Sequence, residues 1–297
     1  MNATPDRWAH WLTERRDAGV DEQRRLSLDR LRPIRDSVLD RAAPLEGVTL
    51  LDVGCGDGLI GLAALELVGP AGAVIFADIS PALLRRAERA ARNLGLAERT
   101  QFLATRAEEL DGIADGSVDV VTTRSVLIYV ADKRAAFAAM HRVLLPGGRI
   151  SLFEPVNKLM YPEPDDRLRG YDVAAVRDLA DQVKAEYRRM VDPAASSMLD
   201  FDDRDLVGYA IEAGFREVHL TLQLDVVPGQ MRAASFDSFL DSAPNPLAPT
   251  LRESIHGTLK APARQQLLDH LYEVFMTTEP IQVWAGAYLV ARRAVSG

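Results

Sequence analysis

The chain has 297 residues, a formal net charge of −8, 47% hydrophobic residues and one cysteine. At about 300 residues a folded chain buries roughly three quarters of its extended surface, so its core needs no covalent staple. A single cysteine excludes an internal disulfide and a Cys-based zinc site. No run of about 18 apolar residues is present to span a membrane. The start, Met1-Asn2-Ala3-Thr4-Pro5-Asp6, has no apolar stretch of the signal-peptide kind. An acidic balance lacks the clustered basic surface that nucleic acid requires. The expected setting is the cytoplasm, with neither nucleic acid nor membrane as partner.

Residues 1–43 read as helices. Thr4 suits a cap, Pro5 the first helical position and Gly19 the end of the segment. From Asp21 to about Ala43, Leu31, Ile34, Val38 and Ala42 recur at helical spacing, with basic and acidic residues close to balance. From Val48 the texture changes. Strands are expected at Val48–Val53, Ala73–Asp78, Thr100–Ala104, Val118–Thr123 and Arg149–Glu154. The helices between them fall at about Leu59–Val68, Pro81–Leu94 and Lys133–Leu145, with an irregular stretch at Arg106–Gly116. Ser80-Pro81 starts a helix, and Pro146-Gly147-Gly148 reads as a stop and turn. Such alternation argues for a mainly parallel sheet covered on both faces.

After Glu154 the alternation stops. Residues 156–200 read as polar and mostly helical. They are followed by a helix at about Asp202–Ala213, a strand at Arg216–Val227, a Pro-rich helical insert at 229–279 and a last strand at Ile281–Ala291. The two late strands are expected as antiparallel neighbours at one sheet edge. The division expected is a cap of 1–43, a core of 44–155, a cap insert of 156–200, core elements at 201–228, a second cap insert of 229–279, and the last strand in 280–297.

The strongest motif is Leu50-Leu51-Asp52-Val53-Gly54-Cys55-Gly56-Asp57-Gly58-Leu59-Ile60-Gly61, where a strand meets a helix. Glycines there permit a tight turn and bring a ligand close to the main chain and the helix N-terminus. Gly56-x-Gly58-x-x-Gly61 matches the dinucleotide-binding pattern, but that motif puts its first glycine directly after the strand. Here Gly54 holds that place, and the spacing is G-x-G-x-G. Asp78 ends the second strand twenty residues beyond Gly58, where a carboxylate accepts from the ribose hydroxyls of an adenosine ligand.

With Arg-Ala-Glu-Glu-Leu (106–110), Val-Asp-Val-Val-Thr-Thr-Arg-Ser (118–125) and Arg-Val-Leu-Leu-Pro-Gly-Gly-Arg (142–149), these pieces form an ordered series. The segment from about Asp36 to Pro155 resembles the class I S-adenosylmethionine-dependent methyltransferases. It is most similar to the small-molecule branch that includes ubiquinone/menaquinone C-methyltransferases and natural-product tailoring enzymes. Ala-Gly-Phe-Arg-Glu-Val (213–218) also matches; the cap segments do not. The resemblance implies a Rossmann-like, seven-stranded, mostly parallel sheet with an antiparallel last strand, plus helical cap segments. It also implies S-adenosyl-L-methionine as cofactor.

By the same resemblance, Asp52, Gly54, Cys55, Gly56 and Gly58 lie at the cofactor's amino-acid part. Asp78 would take the ribose, Ile79 would flank the adenine, Ala107 and Glu108 would meet its edge, and Thr123 and Arg124 would adjoin the methionine moiety. Arg106 stands where the family often has Asp. Cys55 reads as a small residue filling the loop.

Methyl transfer from a sulfonium is an in-line displacement, and a base is needed only if the acceptor must lose a proton. Two residues are candidates for catalysis. Tyr129 lies where some relatives carry histidine, and reads equally as a packing aromatic. Glu154 ends the fifth strand, where it would bind or deprotonate an acceptor, or else fix a turn. His141 reads as solvent-facing, His219 as a sheet residue, and His256, Tyr161 and Tyr171 as cap residues of unknown orientation. No metal site is expected. The partner expected is a small-molecule acceptor methylated on O, N or C in secondary or specialised metabolism; a homodimer is compatible with the sequence. The alternatives are a cofactor-binding protein of this fold with a non-methylating or regulatory role, and a nicotinamide enzyme resting on the offset glycine match.

Overall fold

The computed structural model describes residues 6–190 and 197–295. The expected cap at Thr4 and helix start at Pro5 lie outside the described residues. The helix α1 (Arg7–His10) is capped instead by Asp6, whose carboxylate accepts from Ala9 N at 3.0 Å. A π-turn at Trp11–Arg15 and α2 (Asp21–Ala42) complete the N-terminal helices.

Then come β1 (Thr49–Val53), α3 (Leu59–Leu67), β2 (Ala73–Asp78), α4 (Pro81–Asn93), β3 (Thr100–Ala104), β4 (Val118–Arg124), α5 (Lys133–Val143) and β5 (Leu144–Pro155). These match the expected alternation to within a few residues except at β5. The strand begins at Leu144, five residues early, because Pro146-Gly147-Gly148 makes a bulge and not a terminating turn. Val118 pairs with Leu144 and Val120 already pairs with Arg149, so the intervening residues loop out of the ladder.

Residues 157–176 depart from the expected helical reading. They hold short 3-10 turns and a small antiparallel ladder, β6 (Arg167–Leu168) against β7 (Tyr171–Asp172). The chain continues with α6 (Arg177–Met190), α7 (Asp203–Glu212), β8 (Phe215–Val226), α8 (Phe236–Asp241), α9 (Leu251–Thr258), α10 (Ala261–Thr277) and β9 (Val283–Arg293). Asp202 caps α7 in a reciprocal capping box with Asp205.

The large sheet runs β3-β2-β1-β4-β5-β9-β8. The first five strands are parallel, β9 runs antiparallel to β5, and β8 forms the edge beside β9. The chain has reversed strand order across β1 and β4, which puts loop-bearing carboxyl ends side by side in the way that ligand-binding α/β sheets require.

Two compact units divide the chain. Among the described residues, one comprises 31–156, 197–223 and 286–295; the other comprises 6–30, 157–190 and 224–285. In the first, β1 and β4 are buried on both faces, as parallel strands covered by helices are. Arg149 and Ser151 of β5 anchor the end of α2: Arg149 donates to the carbonyls of Ala42 (2.6 Å) and Pro44, and Ser151 to that of Val38 (2.7 Å). His141, expected toward solvent, is half-buried with its ring edge-on to Phe215 at 5.0 Å. In the second unit, residues of β6, β7, α6 and α8–α10 share one apolar core, in which Tyr171 packs on Phe239 (5.2 Å) and Phe275 (5.7 Å). No helix among the described residues is long and apolar enough to cross a membrane.

Gly61 lets α3 lie close on β2, because a Cβ there would stand 2.3 Å from Phe76 Cε1. Phe76 is itself stacked on Phe102 at 4.8 Å and has nowhere to move. Gly61→Ala is therefore expected to lower the unfolding free energy by about 1–3 kcal/mol, the cost of overpacking a filled core. Urea denaturation of the two proteins measures it.

Candidate functional site

The carboxyl ends of β1, β2, β4 and β5 carry most of the residues singled out from the sequence. Asp52 is 2% exposed. Its carboxylate accepts from Gly61 N at 2.9 Å and from Thr122 Oγ1 at 3.1 Å, so it ties β1 to the first turn of α3 and to β4. Burial pushes its pKa up to about 7, against the pull of those two donors and of Arg124. Both its oxygens thus already hold a donor from within the protein.

The glycine loop follows. Gly54 has φ +65°, and a Cβ there would come within 2.2 Å of Val126 Cγ2. The loop can therefore pass under the segment after β4 only without a side chain at this place. Gly54 N and Cys55 N both donate to the Ala77 carbonyl, at 2.7 and 3.1 Å, which ties the loop to β2. Cys55 is buried; burial first, then Asp52, Asp78 and Asp57, push its thiol pKa well up. Three acidic side chains, Asp52, Asp57 and Asp78, thus surround the loop.

Asp78 closes β2. One oxygen accepts from Gly56 N and the other from Ser80 N, each at 2.8 Å. Next to it, Ile79 is 47% exposed, an apolar side chain left on the surface at a strand end. After β3, Ala107 is buried, and Glu108 accepts from Arg106 Nη2 at 2.8 Å. The unexpected Arg106 is therefore an outward-facing partner of Glu108.

The segment after β4 is built around Glu154, which is fully buried. Its carboxylate accepts from three successive main-chain N–H groups: Val126 at 2.9 Å, Leu127 at 3.0 Å and Ile128 at 3.2 Å. Ser125, just before them, takes φ +54°. Arg124 donates to Ser125 Oγ at 3.3 Å, and its charge acts on Asp52, Glu154 and the phenol of Tyr129. Tyr129 is half-buried, with its pKa raised by burial. Thr123 Oγ1 is buried without a hydrogen-bond partner.

Asp52, Cys55, Asp78, Arg124, Tyr129 and Glu154 are thus linked through direct bonds or felt charge. His219 and His256 are exposed on β8 and α9. Sequence reasoning passed over Thr122 and Val126. Alternation along β4 puts Thr122 on the face opposite Thr123, which is a signal for the first; nothing in the sequence points to the second. Among the described residues, no group of three or more His, Cys, Asp or Glu could hold a metal ion.

A family model described as a methyltransferase domain matches residues 44–200. The chain is 30% identical over 182 residues to the ubiquinone/menaquinone biosynthesis C-methyltransferase UbiE of Klebsiella pneumoniae, covering 61% of this chain and 71% of that protein. It is 34% identical over 200 residues to the nocamycin O-methyltransferase of Saccharothrix syringae, covering 65% and 69%. Two solved structures share the fold. The [4+2]-cyclase SpnF aligns over 89% of this chain and 82% of its own, with a TM-score of 0.51 at 21% identity. A geranyl diphosphate methyltransferase in complex with S-adenosylmethionine aligns over 96% and 94%, with a TM-score of 0.52 at 17% identity.

The Glu154 clamp has a pH signature. Burial raises its pKa from an ordinary 4.5 to about 7, despite the three N–H donors that favour the charged form. A carboxyl with a folded-state pKa above its unfolded one contributes stability that is complete below the unfolded value and lost as the pH rises through the folded one. Glu154→Gln removes that titration. The stability advantage of wild type over this variant is expected to shrink between pH 4.5 and 8 by on the order of 3 kcal/mol, at 1.36 kcal/mol per pKa unit. Urea denaturation across that range tests it; a pH-independent difference would show the carboxyl to be unshifted.

Proposed function

The chain belongs to the class I S-adenosylmethionine-dependent methyltransferases, and from that premise we propose how its own residues hold the cofactor and serve methyl transfer to a small molecule. When bound, S-adenosylmethionine supplies an electrophilic methyl group on a sulfonium. The observation that carries the reading is the negative glycine loop, set between Asp52, Asp57 and Asp78 and free of side chains where it turns. A sulfonium and an ammonium on one ligand are attracted to such a potential.

Around that loop each residue takes a part. Gly54, Cys55, Gly56 and Gly58 present main chain to the amino-acid portion. Asp52 acts by positioning: it aims the first turn of α3 through Gly61. Asp78, whose carboxylate holds Gly56 N and Ser80 N, takes the ribose hydroxyls. The exposed face of Ile79 suits the flat adenine, with Ala107 and Glu108 at the base's edge. Thr123 and Arg124 lie on the methionine side, where the unpartnered Thr123 hydroxyl is one donor without a role inside the protein.

For Glu154 we propose positioning in place of acid–base chemistry, since its two oxygens already accept three N–H groups. Tyr129, whose phenol feels the charge of Arg124, is assigned to the acceptor side. With a phenol pKa raised by burial, it would orient an acceptor by hydrogen bonding, and it is too weak an acid to work as a phenolate base. Residues 1–43 and 229–279 lie outside the matched stretch. The acceptor is a small organic molecule of secondary metabolism, methylated on O, N or C. The free thiol of Cys55 suits a reducing compartment, the cytoplasm.

Titration calorimetry with S-adenosylhomocysteine tests the assignment. Wild type should bind. Asp78→Ala should bind roughly 10–100-fold more weakly, the loss expected for hydrogen bonds to a charged group of about 1.5–3 kcal/mol. No binding by wild type, or equal affinity in the variant, would overturn it.

A further inference from the structure

Between β6 and β7, in the unit that holds the aromatic core, Arg169 occupies a left-handed backbone conformation, φ +49°. A non-glycine residue keeps such a conformation only where its surroundings enforce it. Glu163 does so: its two oxygens accept the N–H groups of Arg169 and Gly170, each at 2.9 Å. The Arg169 side chain then turns inward. Nη1 donates to the carbonyls of Phe239 (3.0 Å) and Ser242 (3.2 Å).

Two polar atoms at this place are buried with no partner. One is Arg169 Nη2; the other is Oγ of Ser242, whose own carbonyl holds Nη1. A guanidinium buried without a direct counter-charge is costly, and carbonyl contacts do not neutralise it. Among the described residues Arg169 forms no ion pair. The nearest carboxylate in effect, Glu163, is spent on the two N–H groups, and Tyr187 and Tyr161 are the other titratable groups that act on the guanidinium. Orphaned buried donors in a folded protein call for an occupant.

We propose that Arg169 and Ser242 form a binding site for a small carboxylate, which takes Nη2–H and the Ser242 hydroxyl as donors. A carboxylate matches the planar fork of Arg. A phosphate dianion would bring a second charge toward Glu163. Neither the family assignment nor the cofactor site is needed for this inference. It adds a ligand site that the reading above does not assign.

Acetate is the probe, titrated into the full chain and followed by side-chain nitrogen resonances of arginine, with acetamide as the uncharged control. Wild type should show saturable binding of acetate and none of acetamide. Ser242→Ala should weaken acetate about tenfold, and Arg169→Gln should abolish saturation, while both variants bind S-adenosylhomocysteine as wild type does. Retained cofactor-product binding separates this result from a failure of the cofactor site or of folding. No saturable binding in wild type, tighter binding of phosphate than of acetate, or unchanged binding in Ser242→Ala would overturn the proposal.

Discussion

Three buried carboxylates at the ends of β1, β2 and β5 hold the functional edge of the sheet in shape. Asp52 fastens the first turn of α3, Asp78 fastens the glycine loop and the start of α4, and Glu154 fastens the segment after β4. Each trades the cost of burial for main-chain donors that would otherwise be orphaned where a strand gives way to a loop. The same burial raises the pKa values of Asp52 and Glu154. Loops held by side chains in this way keep their shape, which leaves their outer surface for a ligand.

The same carboxylates set the charge of the site. Asp52, Asp57 and Asp78 act together on Cys55, while Arg124 is the positive group that acts on Asp52, Glu154 and Tyr129. A negative loop beside a single guanidinium is complementary to a ligand that carries a sulfonium, an ammonium and a carboxylate. The fold and the family are in accord with this electrostatic pattern. The residues proposed for each part of the cofactor come from the family resemblance.

Much of the sheet was legible because its signals are local. Ser80-Pro81 and the glycines after Val53 mark element ends by chemistry that acts within a few residues, and α7 lies between its Asp202 cap and Gly214 as the sequence indicates. The failures are non-local. Pro146-Gly147-Gly148 has the composition of a turn, and only pairing with β4 makes it a bulge. Glu154 is visible as a strand-end acid, but the three N–H groups it accepts belong to residues 26 to 28 positions earlier. His141 has a polar neighbour, Arg142, yet faces Phe215 from an element far along the chain. Arg169 lies in a segment that reads as a solvated surface, and nothing local predicts that its guanidinium turns in toward Phe239 and Ser242.

The central claim is that these carboxylate-held loops form the cofactor site. A crystal structure of the chain with S-adenosylhomocysteine tests it most directly. The account predicts both ribose hydroxyls on Asp78, the adenine against Ile79 with Glu108 at its edge, and the amino-acid portion over Gly54–Gly58 with Glu154 still on its three N–H groups. A ligand bound away from the glycine loop, or a Glu154 released from Val126–Ile128 to face the ligand, would contradict it.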